Sequence, residues 1–334
     1  MFDVITIGTA TRDVFLTSGE FRVLKDPEHL EKLGFPTAEA ECFALGGKVE
    51  VESPFFTTGG GALNAAVTFS RAGLKTGAVF KIGKDEIGRD LLSDIKKENV
   101  LSIPAYDKSL CTAYSTIILN KTGERTVLVY RGASNSLEKR DVPLSKLRAK
   151  WAYVVSGYTS LSLMEQVFSS LKKQGASIAL SPSKHYAQLG HQKLKAVLRY
   201  VDLLIMNREE AAAFTREEYN REKKIFKKFD EIVRGIAIMT DGERGAYVSD
   251  GRYLYRSGVF KEKKLVDRTG AGDAFGSGFV AGLIEKNDIS YALRFATANA
   301  TSVVEHIGAQ AGILKKKDFQ NKRWGYLDLD VEPL

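Results

Sequence analysis

Short apolar runs of strand length alternate with longer amphipathic segments along most of the 334 residues. This alternation favours a mainly parallel sheet, because each parallel connection needs a crossover that is usually a helix. The sequence therefore predicts an α/β fold with three layers, in which helices cover both faces of a central sheet. The predicted strands are 4–7, 76–82, 153–156, 177–180, 203–206, 236–240 and 246–249. The predicted helices are 62–71, 87–98, 163–174, 192–200, 208–214, 222–233, 274–284 and 289–306.

Two stretches depart from this alternation, one around the pair Gly46-Gly47 and the other around the turn 120–124. Short connections with glycine between strand-like runs are typical of β-hairpins. We interpret the two hairpins, drawn from about 41–57 and 113–130, as a small antiparallel β lid that closes over a cleft and offers a surface for a homodimer. The alternative is that they extend an edge of the main sheet. The flanking strands are predicted at 41–45, 48–52, 113–119 and 126–130.

Composition excludes several classes of function. The net charge is +8, but Lys and Arg are interleaved with acids and no recognition motif accompanies them, so we expect no nucleic-acid partner. No run reaches the roughly 20 apolar residues of a membrane span, so we expect no membrane partner. Cys42 and Cys111 have neither the spacing of a metal site nor the density of a disulfide framework, which predicts a cytoplasmic protein.

The segment 267–278 reads DRTGAGDAFGSG and precedes an apolar run of helical character. Gly270 and Gly272 carry no Cβ, so a ligand can approach N–H groups at the positive end of a helix, which predicts a cradle for an anion. Asp273 would place a carboxylate inside that cradle, an arrangement tolerated where a group must take a proton. The pattern therefore predicts phosphoryl transfer to a hydroxyl. The alternative is a tight turn with Asp273 in the first turn of an ordinary helix.

Polar residues after the first strand and after a glycine loop could bind the hydroxyls of an acceptor. The segment TGGGALNAA covers 58–66, and its glycines allow close backbone approach while Asn64 offers both a donor and an acceptor. Asp13 lies just beyond the predicted strand 4–7, at the carboxyl end of a parallel strand, where ligands of such sheets gather. The alternatives are a packed glycine loop for Asn64 and an exposed loop acid for Asp13.

The chain resembles the ribokinase-like (PfkB) carbohydrate kinase family over roughly residues 1–318. Five segments carry the resemblance, and they occur in the family's order: 58–66, then KIGKDEIG at 81–88, NREE at 207–210, TDGERG at 240–245 and DRTGAGDAFGSG at 267–278. The resemblance implies a ribokinase-like three-layer α/β/α sandwich with a mainly parallel sheet and a small β lid. It also implies that Gly59 and Gly60 approach a sugar through their backbone, while Asn64 and Asp13 bond its hydroxyls.

The same resemblance assigns residues to a nucleotide and its metal. Asn207 and Glu210 are implied to hold Mg²⁺ and the phosphates largely through water, although a helix cap would use the same two residues. A turn close to the nucleotide, otherwise read as a hairpin turn, is implied for Thr240, Gly242 and Gly245. The wall beside the adenine is implied for the last predicted helix, with Asn299 or Thr297 near the edge of the base.

Two departures from the family pattern concern ions. Arg268 stands where members often carry Thr, which adds a positive charge beside the anion cradle. Asp267 matches an acid that contributes to a monovalent cation site in some members, but Gly312 occupies the position expected for a Ser of that site. Activation by K⁺ is therefore a weakened prediction.

The expected activity is ATP-dependent transfer of a γ-phosphoryl group to a sugar hydroxyl. Asp273 accepts the proton, the N–H groups of Gly270, Ala271 and Gly272 form the anion hole, and Mg²⁺ neutralises the phosphates. One alternative is a nucleoside kinase, which would need an aromatic wall in the acceptor pocket. A sugar-phosphate kinase would need Lys or Arg on the acceptor side, and a regulator would bind nucleotide without catalysis. The candidates for the aromatic wall are Phe15, Phe43, Phe56 and Tyr114.

Overall fold

A computed structural model describes residues 1–30, 32–33, 39–120 and 125–334. Its strands are β1 Phe2–Ile7, β2 Thr11–Thr17, β3 Arg22–Lys25, β4 Glu39–Cys42, β5 Phe55–Gly59, β6 Thr76–Gly83, β7 Leu101–Asp107, β8 Tyr114–Leu119, β9 Arg125–Tyr130, β10 Ala149–Val155, β11 Ser177–Ser181, β12 Leu203–Asn207, β13 Ile236–Thr240, β14 Ala246–Ser249, β15 Tyr253–Ser257 and β16 Leu329–Pro333. Its helices are α1 Pro27–Leu30, α2 Gly61–Arg71, α3 Glu86–Lys97, α4 Leu161–Lys172, α5 Lys184–Leu189, α6 His191–Leu198, α7 Arg208–Thr215, α8 Glu222–Ile232, α9 Ala271–Lys286 and α10 Ile289–Val304.

The main sheet has the strand order β16-β15-β14-β13-β12-β11-β10-β1-β6-β7. The seven strands from β13 to β7 in that order run parallel, and β14, β15 and β16 complete one edge as antiparallel strands. Every predicted strand of the main sheet is present. The strand β1 lies between β6 and β10, so the strands that follow β1 in sequence are added on both sides of it. Such a switch point in the strand order opens a crevice at the carboxyl ends of the strands.

Helices cover both faces of this sheet, as the alternation predicts. Neighbouring residues of β1 point to opposite faces, so Val4 belongs to one buried cluster and Ile5 to another. The cluster around Val4 contains residues of α2, α9 and α10, and the cluster around Ile5 contains residues of α4, α6, α7 and α8. The first group of helices carries the GAGD segment and the Asn64 segment, so both lie on the same face.

A second sheet, which we call the small sheet, has the order β5-β2-β8-β9 and is separate from the main sheet. The hairpin of β8 and β9 confirms the prediction for 113–130, although most of its turn, 121–124, lies outside the described residues. The pairs β2/β5 and β8/β9 are antiparallel, whereas β2 and β8 run parallel. The strand β2, which contains Asp13, is a member of this sheet that the sequence did not predict.

The hairpin predicted for 41–52 is wrong. Its first half pairs elsewhere, because β4 is antiparallel to β3, with Cys42 opposite Arg22. The second half, 48–52, forms no strand, and isolated hydrogen bonds hold it beside the end of β2. The N–H of Glu52 donates to the carbonyl of Thr17 at 2.8 Å, and the hydroxyl of Ser18 donates to the carbonyl of Glu50 at 2.6 Å.

In the part of the chain that the structure describes, no helix combines the length and the apolar character needed to cross a bilayer.

Candidate active site

The GAGD segment forms the start of α9, and Gly270 is its N-cap. Gly270 has φ +80°, a conformation that favours glycine, and a Cβ there would lie 2.3 Å from the Cβ of Ala309. No side chain caps this helix, so its first N–H groups are left for a ligand, although the N–H of Ala271 makes a long 3.4 Å contact with the carbonyl of Arg268. A Cβ on Gly272 would meet nothing within 4 Å, so the approach to these N–H groups is open. The start of α9 thus has the uncapped N–H groups and the open approach that the predicted anion cradle requires.

Asp273, in the first turn of α9, is held by a chain of two amides. The Nδ2 of Asn64 donates to Asp273 Oδ2 at 2.9 Å, and the Nε2 of Gln310 donates to Asn64 Oδ1 at 3.0 Å. Burial raises the pKa of Asp273, and the bond from Asn64 opposes that shift. The other carboxylate oxygen lies beside Gly61, where a Cβ would come within 3.2 Å of Oδ1. One oxygen is thus fixed and the other is left facing the space next to the glycine loop.

A cavity of about 330 Å³, which we call the lid cavity, lies beneath the small sheet. Asp273 and Gly270 form part of its wall, together with Gly60 of the glycine loop. The remaining lining residues are Thr9, Thr11, Asp13, Gly61, Asn64, Ala113, Ser115, Ile117, Arg125, Val127, Val129, Tyr130, Arg131, Ser134, Asn135 and Thr269. Carboxylates, an amide and hydroxyls converge there, which suits a ligand rich in hydroxyl groups.

Asp13 lies on β2 of the small sheet and is 7% exposed. Burial raises the pKa of Asp13 to about 6, and a hydrogen bond from Ser115 partly offsets that effect. Gly59 does not line the lid cavity; its role is to make room, because a Cβ there would lie 2.0 Å from Asp13 Oδ2. The predicted sugar-binding residues Asp13, Gly60 and Asn64 are therefore brought together, and Gly59 acts behind them.

A second cavity of about 270 Å³, which we call the α10 cleft, lies on the other side of the start of α9. Thr240, Gly242 and Gly245, the residues that the sequence predicts to lie close to a nucleotide, line this cleft. Its apolar side is formed by Val259, Phe260, Leu265, Phe275, Ala300 and Val304. Thr297 also lines the cleft, and its hydroxyl is buried without a hydrogen-bond partner among the described residues. Apolar walls and one unsatisfied hydroxyl fit the ring system of a nucleotide base.

The two cavities meet at the first turn of α9. Ala271 and Gly272 line the α10 cleft, whereas Gly270 and Asp273 line the lid cavity. The anionic end of a ligand in the cleft and a hydroxyl of a ligand in the lid cavity would therefore meet at one helix N-terminus.

Asn207 and Glu210 form a capping box at the start of α7. The Oδ1 of Asn207 accepts from the N–H of Glu210 at 2.8 Å, and Glu210 Oε2 accepts from the N–H of Asn207 at 3.1 Å. Asn207 lies opposite Thr240 in the sheet, next to the α10 cleft, but neither residue of the box lines a cavity. Burial raises the pKa of Glu210, and the negative charge of Asp273 adds to that shift.

The described residues contain no cluster of three metal-ligating side chains. Mg²⁺ keeps several waters, however, and needs only one or two carboxylates when phosphates complete its shell. The capping bond uses only Oε2 of Glu210, which leaves the other carboxylate oxygen for a ligand. Oxygen donors of this kind, on Glu210 and Asn207, fit a metal held largely through water.

Of the two residues predicted near the edge of the base, Asn299 and Thr297, Asn299 does not line the α10 cleft. Asn299 is fully buried, and its Nδ2 donates to the carbonyl of Ala274 at 2.9 Å and to Thr68 Oγ1 at 3.3 Å. Its Oδ1 accepts from the N–H of Leu314 at 2.9 Å. These bonds tie α10 to α9 and α2, and they leave no group for a ligand. Thr297, one helical face away, is the residue of this pair that lines the α10 cleft.

Asp267 is buried at the base of the loop before α9. Its Oδ1 accepts from the N–H and the hydroxyl of Thr269 at 2.9 and 2.7 Å, and its Oδ2 accepts from the N–H of Gly308 at 3.0 Å. Arg125 Nη1 lies 3.5 Å from Oδ1. The carboxylate of Asp267 therefore joins two loops through hydrogen bonds, and the guanidinium of Arg125 lies beside it.

Arg268 lines the α10 cleft and pairs with Glu243 at 2.7 Å. Both side chains are more than half exposed, so the pair lies at the mouth of the cleft, where an ion pair contributes little stability.

None of the four aromatic residues suggested for a nucleoside wall lines the lid cavity. Phe15 is buried and packs against Phe55, while Tyr114 accepts a bond from the hydroxyl of Thr116. Phe43 packs against Phe21, and Phe56 lies under the guanidinium of Arg12.

Several lining residues were missed from the sequence, among them Arg125 and Arg131. The strand β9 alternates, and residues 125, 127, 129 and 131 all line the lid cavity. This period of two was visible in the sequence and could have placed the two arginines on one face.

A model of the pfkB family carbohydrate kinases matches residues 30–316. A ribokinase from Haemophilus influenzae is 28% identical over 268 residues, which cover 78% of this chain and 85% of that protein. An ATP-dependent 6-phosphofructokinase from Thermoanaerobacterium thermosaccharolyticum is 25% identical over 262 residues, 75% of this chain and 80% of that protein.

Among solved structures, a ribokinase from Arabidopsis thaliana, complexed with ribose and ATP, has a TM-score of 0.75 at 19% identity. The match covers 97% of this chain and 99% of that one, which confirms the predicted ribokinase-like fold. The family match spans most of the chain, although Asp13 lies before it. The chain therefore belongs to the pfkB family of carbohydrate kinases.

Proposed function

We propose that this chain is an ATP-dependent kinase that transfers the γ-phosphoryl group to a hydroxyl of a sugar. The observation that carries the proposal is the meeting of two cavities at the first turn of α9, with Asp273 on one side and open N–H groups on the other. In this reading the lid cavity takes the sugar and the α10 cleft takes ATP.

Asp273 is the proposed base. As the acceptor oxygen bonds to the γ-phosphorus and the bond to the β-phosphate oxygen breaks, Asp273 takes the hydroxyl proton, and ADP and a phosphorylated sugar result. Asn64 and Gln310 hold the carboxylate in place, which keeps its free oxygen near the acceptor. The N–H groups of Gly270, Ala271 and Gly272 face the charge that develops on the transferred group.

Mg²⁺ would neutralise the phosphates when bound. Glu210 is the residue proposed to hold it, through water, and Asn207 fixes the orientation of Glu210 through the capping box. Thr240, Gly242 and Gly245 are proposed to contact the nucleotide, and of the two residues that the sequence suggested for the edge of the base, Asn299 and Thr297, we propose Thr297.

A sugar is favoured over a nucleoside as acceptor. A nucleoside needs a surface on which its base can stack, and none of the four aromatic residues suggested for such a wall lines the lid cavity, which offers the single ring of Tyr130 instead. The relatives named ribokinase and 6-phosphofructokinase also support a sugar.

The test is ADP release with ATP and Mg²⁺ over a panel of sugars and nucleosides, with wild-type protein and with Asp273→Asn. We expect turnover with a sugar and a loss of kcat of about 10²-fold or more in the variant, because a positioned base contributes on that scale. Asp288→Asn is the matched control: Asp288 is the N-cap of α10, where Asn caps as well as Asp, and activity should be retained.

Turnover only with nucleosides would contradict the sugar assignment, and turnover of Asp273→Asn near the wild-type rate would contradict the base. ATP binding without ADP release from any acceptor would favour a nucleotide-binding regulator instead.

We propose further that K⁺ does not activate this chain. Asp267 spends both oxygens on Thr269 and Gly308, and the guanidinium of Arg125 lies where a cation would balance its charge. We expect replacement of Na⁺ by K⁺ at constant ionic strength to change kcat by less than about twofold. The bonds of Asp267 would be the same with either ion, and the screening of charges is also unchanged. A K⁺ optimum of tenfold or more would show that Asp267 contributes to a cation site.

A further inference from the structure

The strand β9 forms a roof over the lid cavity, with a cation at each end. Arg125, Val127, Val129 and Arg131 alternate along the chain and all line the cavity. Arg125 begins β9 and Arg131 follows its last residue, so the two arginines are six positions apart, roughly 20 Å of extended chain, and lie at opposite ends of the strand. With their backbones this far apart, the two arginines are not placed to bind the same group of a small ligand, and their surroundings differ.

At one end, Arg125 is already balanced. Its Nη1 lies 3.5 Å from Asp267 Oδ1, at the base of the loop that leads into α9. This arginine is therefore on the side of the anion cradle, where its charge is offset by a buried carboxylate.

At the other end, Arg131 is unbalanced. Among the described residues, no carboxylate lies within ion-pair distance of its guanidinium, which instead lies 5.1 Å from the centre of the Tyr158 ring. Stacking on a tyrosine face orients a guanidinium without using its N–H donors. Asn135 lines the same cavity, and the structure shows no hydrogen bond for its side chain among those residues. An exposed guanidinium that lies over a tyrosine ring and an amide with no hydrogen bond among the described residues thus line the same cavity, four residues apart in the chain.

A neutral sugar would make little use of this pair. The hydroxyl ligands Asp13 and Asn64 and the proposed base Asp273 already serve the other wall of the cavity. A guanidinium fork matches the geometry of a phosphate or a carboxylate, and bonds to such groups are about twice as strong as neutral ones.

We infer that the acceptor is a sugar that carries an anionic oxygen group, a phosphate ester or a carboxylate, and that Arg131 with Asn135 binds this group. The inference rests on the proposed function, since it specifies the acceptor of that reaction. Arg131 is then a specificity-determining residue: it contacts the end of the acceptor remote from the reacting hydroxyl.

The experiment compares kcat/KM with ATP for three kinds of acceptor: the neutral sugars ribose and fructose, the esters ribose 5-phosphate and fructose 6-phosphate, and the sugar acid gluconate. We expect one of the anionic acceptors to give the highest value. Arg131→Ala should lower that value by about 10-fold to 100-fold, mostly through KM, because a charge-assisted bond of about 1.5–3 kcal/mol is lost. Arg131→Lys should recover part of the loss.

Arg199→Ala is the matched control. Arg199 also lies over a tyrosine ring, with its guanidinium 4.7 Å from the centre of Tyr200, but it is remote from both cavities that form the site. This variant removes the same charge and the same kind of stacking, together with an ion pair between Arg199 and Glu165 at 2.7 Å, and its kinetics should match those of the wild type. The ester and acid arms identify which anionic group is recognised.

The inference is overturned if a neutral sugar gives the highest kcat/KM and Arg131→Ala leaves all acceptors unchanged. If no acceptor is phosphorylated, the proposed function fails, and calorimetry without ATP decides the inference separately. Tighter binding of fructose 6-phosphate or gluconate than of fructose, lost in Arg131→Ala, would support an anion site, and equal binding would overturn it.

Discussion

The ionised form of Asp13 lowers the stability of the folded protein. Burial raises its pKa from 3.8 to about 6, so the folded protein binds this proton more tightly than the unfolded chain does. Stability from this group is therefore full below about pH 4 and is lost as the pH rises towards 6. We interpret this cost as the consequence of keeping an ionised carboxylate in a cavity where a sugar can use it.

Asp13→Asn should consequently raise the free energy of unfolding above pH 6.5. The shift of the pKa from 3.8 to about 6 corresponds to a gain on the order of 3 kcal/mol, which should vanish near pH 4. Urea unfolding at pH 8 and pH 4 measures it, and the exposed substitution Asp90→Asn should change neither value. A variant less stable than the wild type at pH 8 would show that the ionised carboxylate stabilises the fold.

Single residues were predictable where their chemistry departs from what packing requires. A carboxylate among glycines at a helix start identified Asp273, and a polar residue in a stretch of alanines identified Asn64. Asn299 looked the same in sequence, but its amide satisfies buried backbone groups between three helices, a use that only the three-dimensional packing reveals. Arg131 was missed because its meaning depends on which carboxylates lie within reach.

At the scale of the element, the start of α9 makes opposite demands on its two glycines. Gly270 has a positive φ and packs against Ala309, whereas Gly272 is helical and has open space beside it. The first glycine serves the backbone path, and the second serves the approach of a ligand.

Gly270→Ala and Gly272→Ala should separate these roles. Gly270→Ala should lower the free energy of unfolding by about 1–2 kcal/mol or more, from the strained conformation and the clash, and should lower kcat. Gly272→Ala should keep or raise stability, by up to about 1 kcal/mol of helix propensity, but should raise the KM for ATP. Thermal unfolding and ATP titrations decide this, and equal effects of the two variants would contradict the division.

Elements were predictable where burial on both faces leaves a continuous apolar run. All the parallel strands except β7 were found in this way, as were the long helices. The strands β15 and β16 were missed because they are partly exposed and carry polar residues. The strand β2 was missed because its pairing with β5 and β8 joins segments far apart in the sequence.

At the scale of the whole molecule, we propose that residues 1–334 form one domain, since strands of a single sheet contribute to all three buried clusters. The unfolding curves measured for Asp13→Asn should then show one transition.

The outer face of the small sheet is a proposed surface for a homodimer. Across this sheet, Phe56, Val14, Thr116 and Leu128 are in register, so they lie on the face opposite Asp13. Phe56 and Leu128 at the ends of this row are 54% and 57% exposed, and β9, the strand of Leu128, leaves an open edge. Exposed apolar groups on an edge strand favour association.

Light scattering should therefore give a mass near twice the 36.8 kDa of the chain, and Leu128→Glu should reduce it to one chain because a charge would be buried at the contact. A monomer at micromolar concentration in the wild type would rule out this dimer.

The small sheet contributes walls to only one of the two cavities. Asp13 on β2, Ser115 on β8 and Arg125 on β9 line the lid cavity, and no residue of these strands lines the α10 cleft in the described chain. Binding and release of the two ligands should then depend differently on the position of the small sheet. We expect the nucleotide to come and go whatever the position of the small sheet, whereas the sugar leaves only when that sheet lifts. The slow step of each cycle would then be departure of the phosphorylated product, and viscosity of the medium, which slows such movements, should lower kcat.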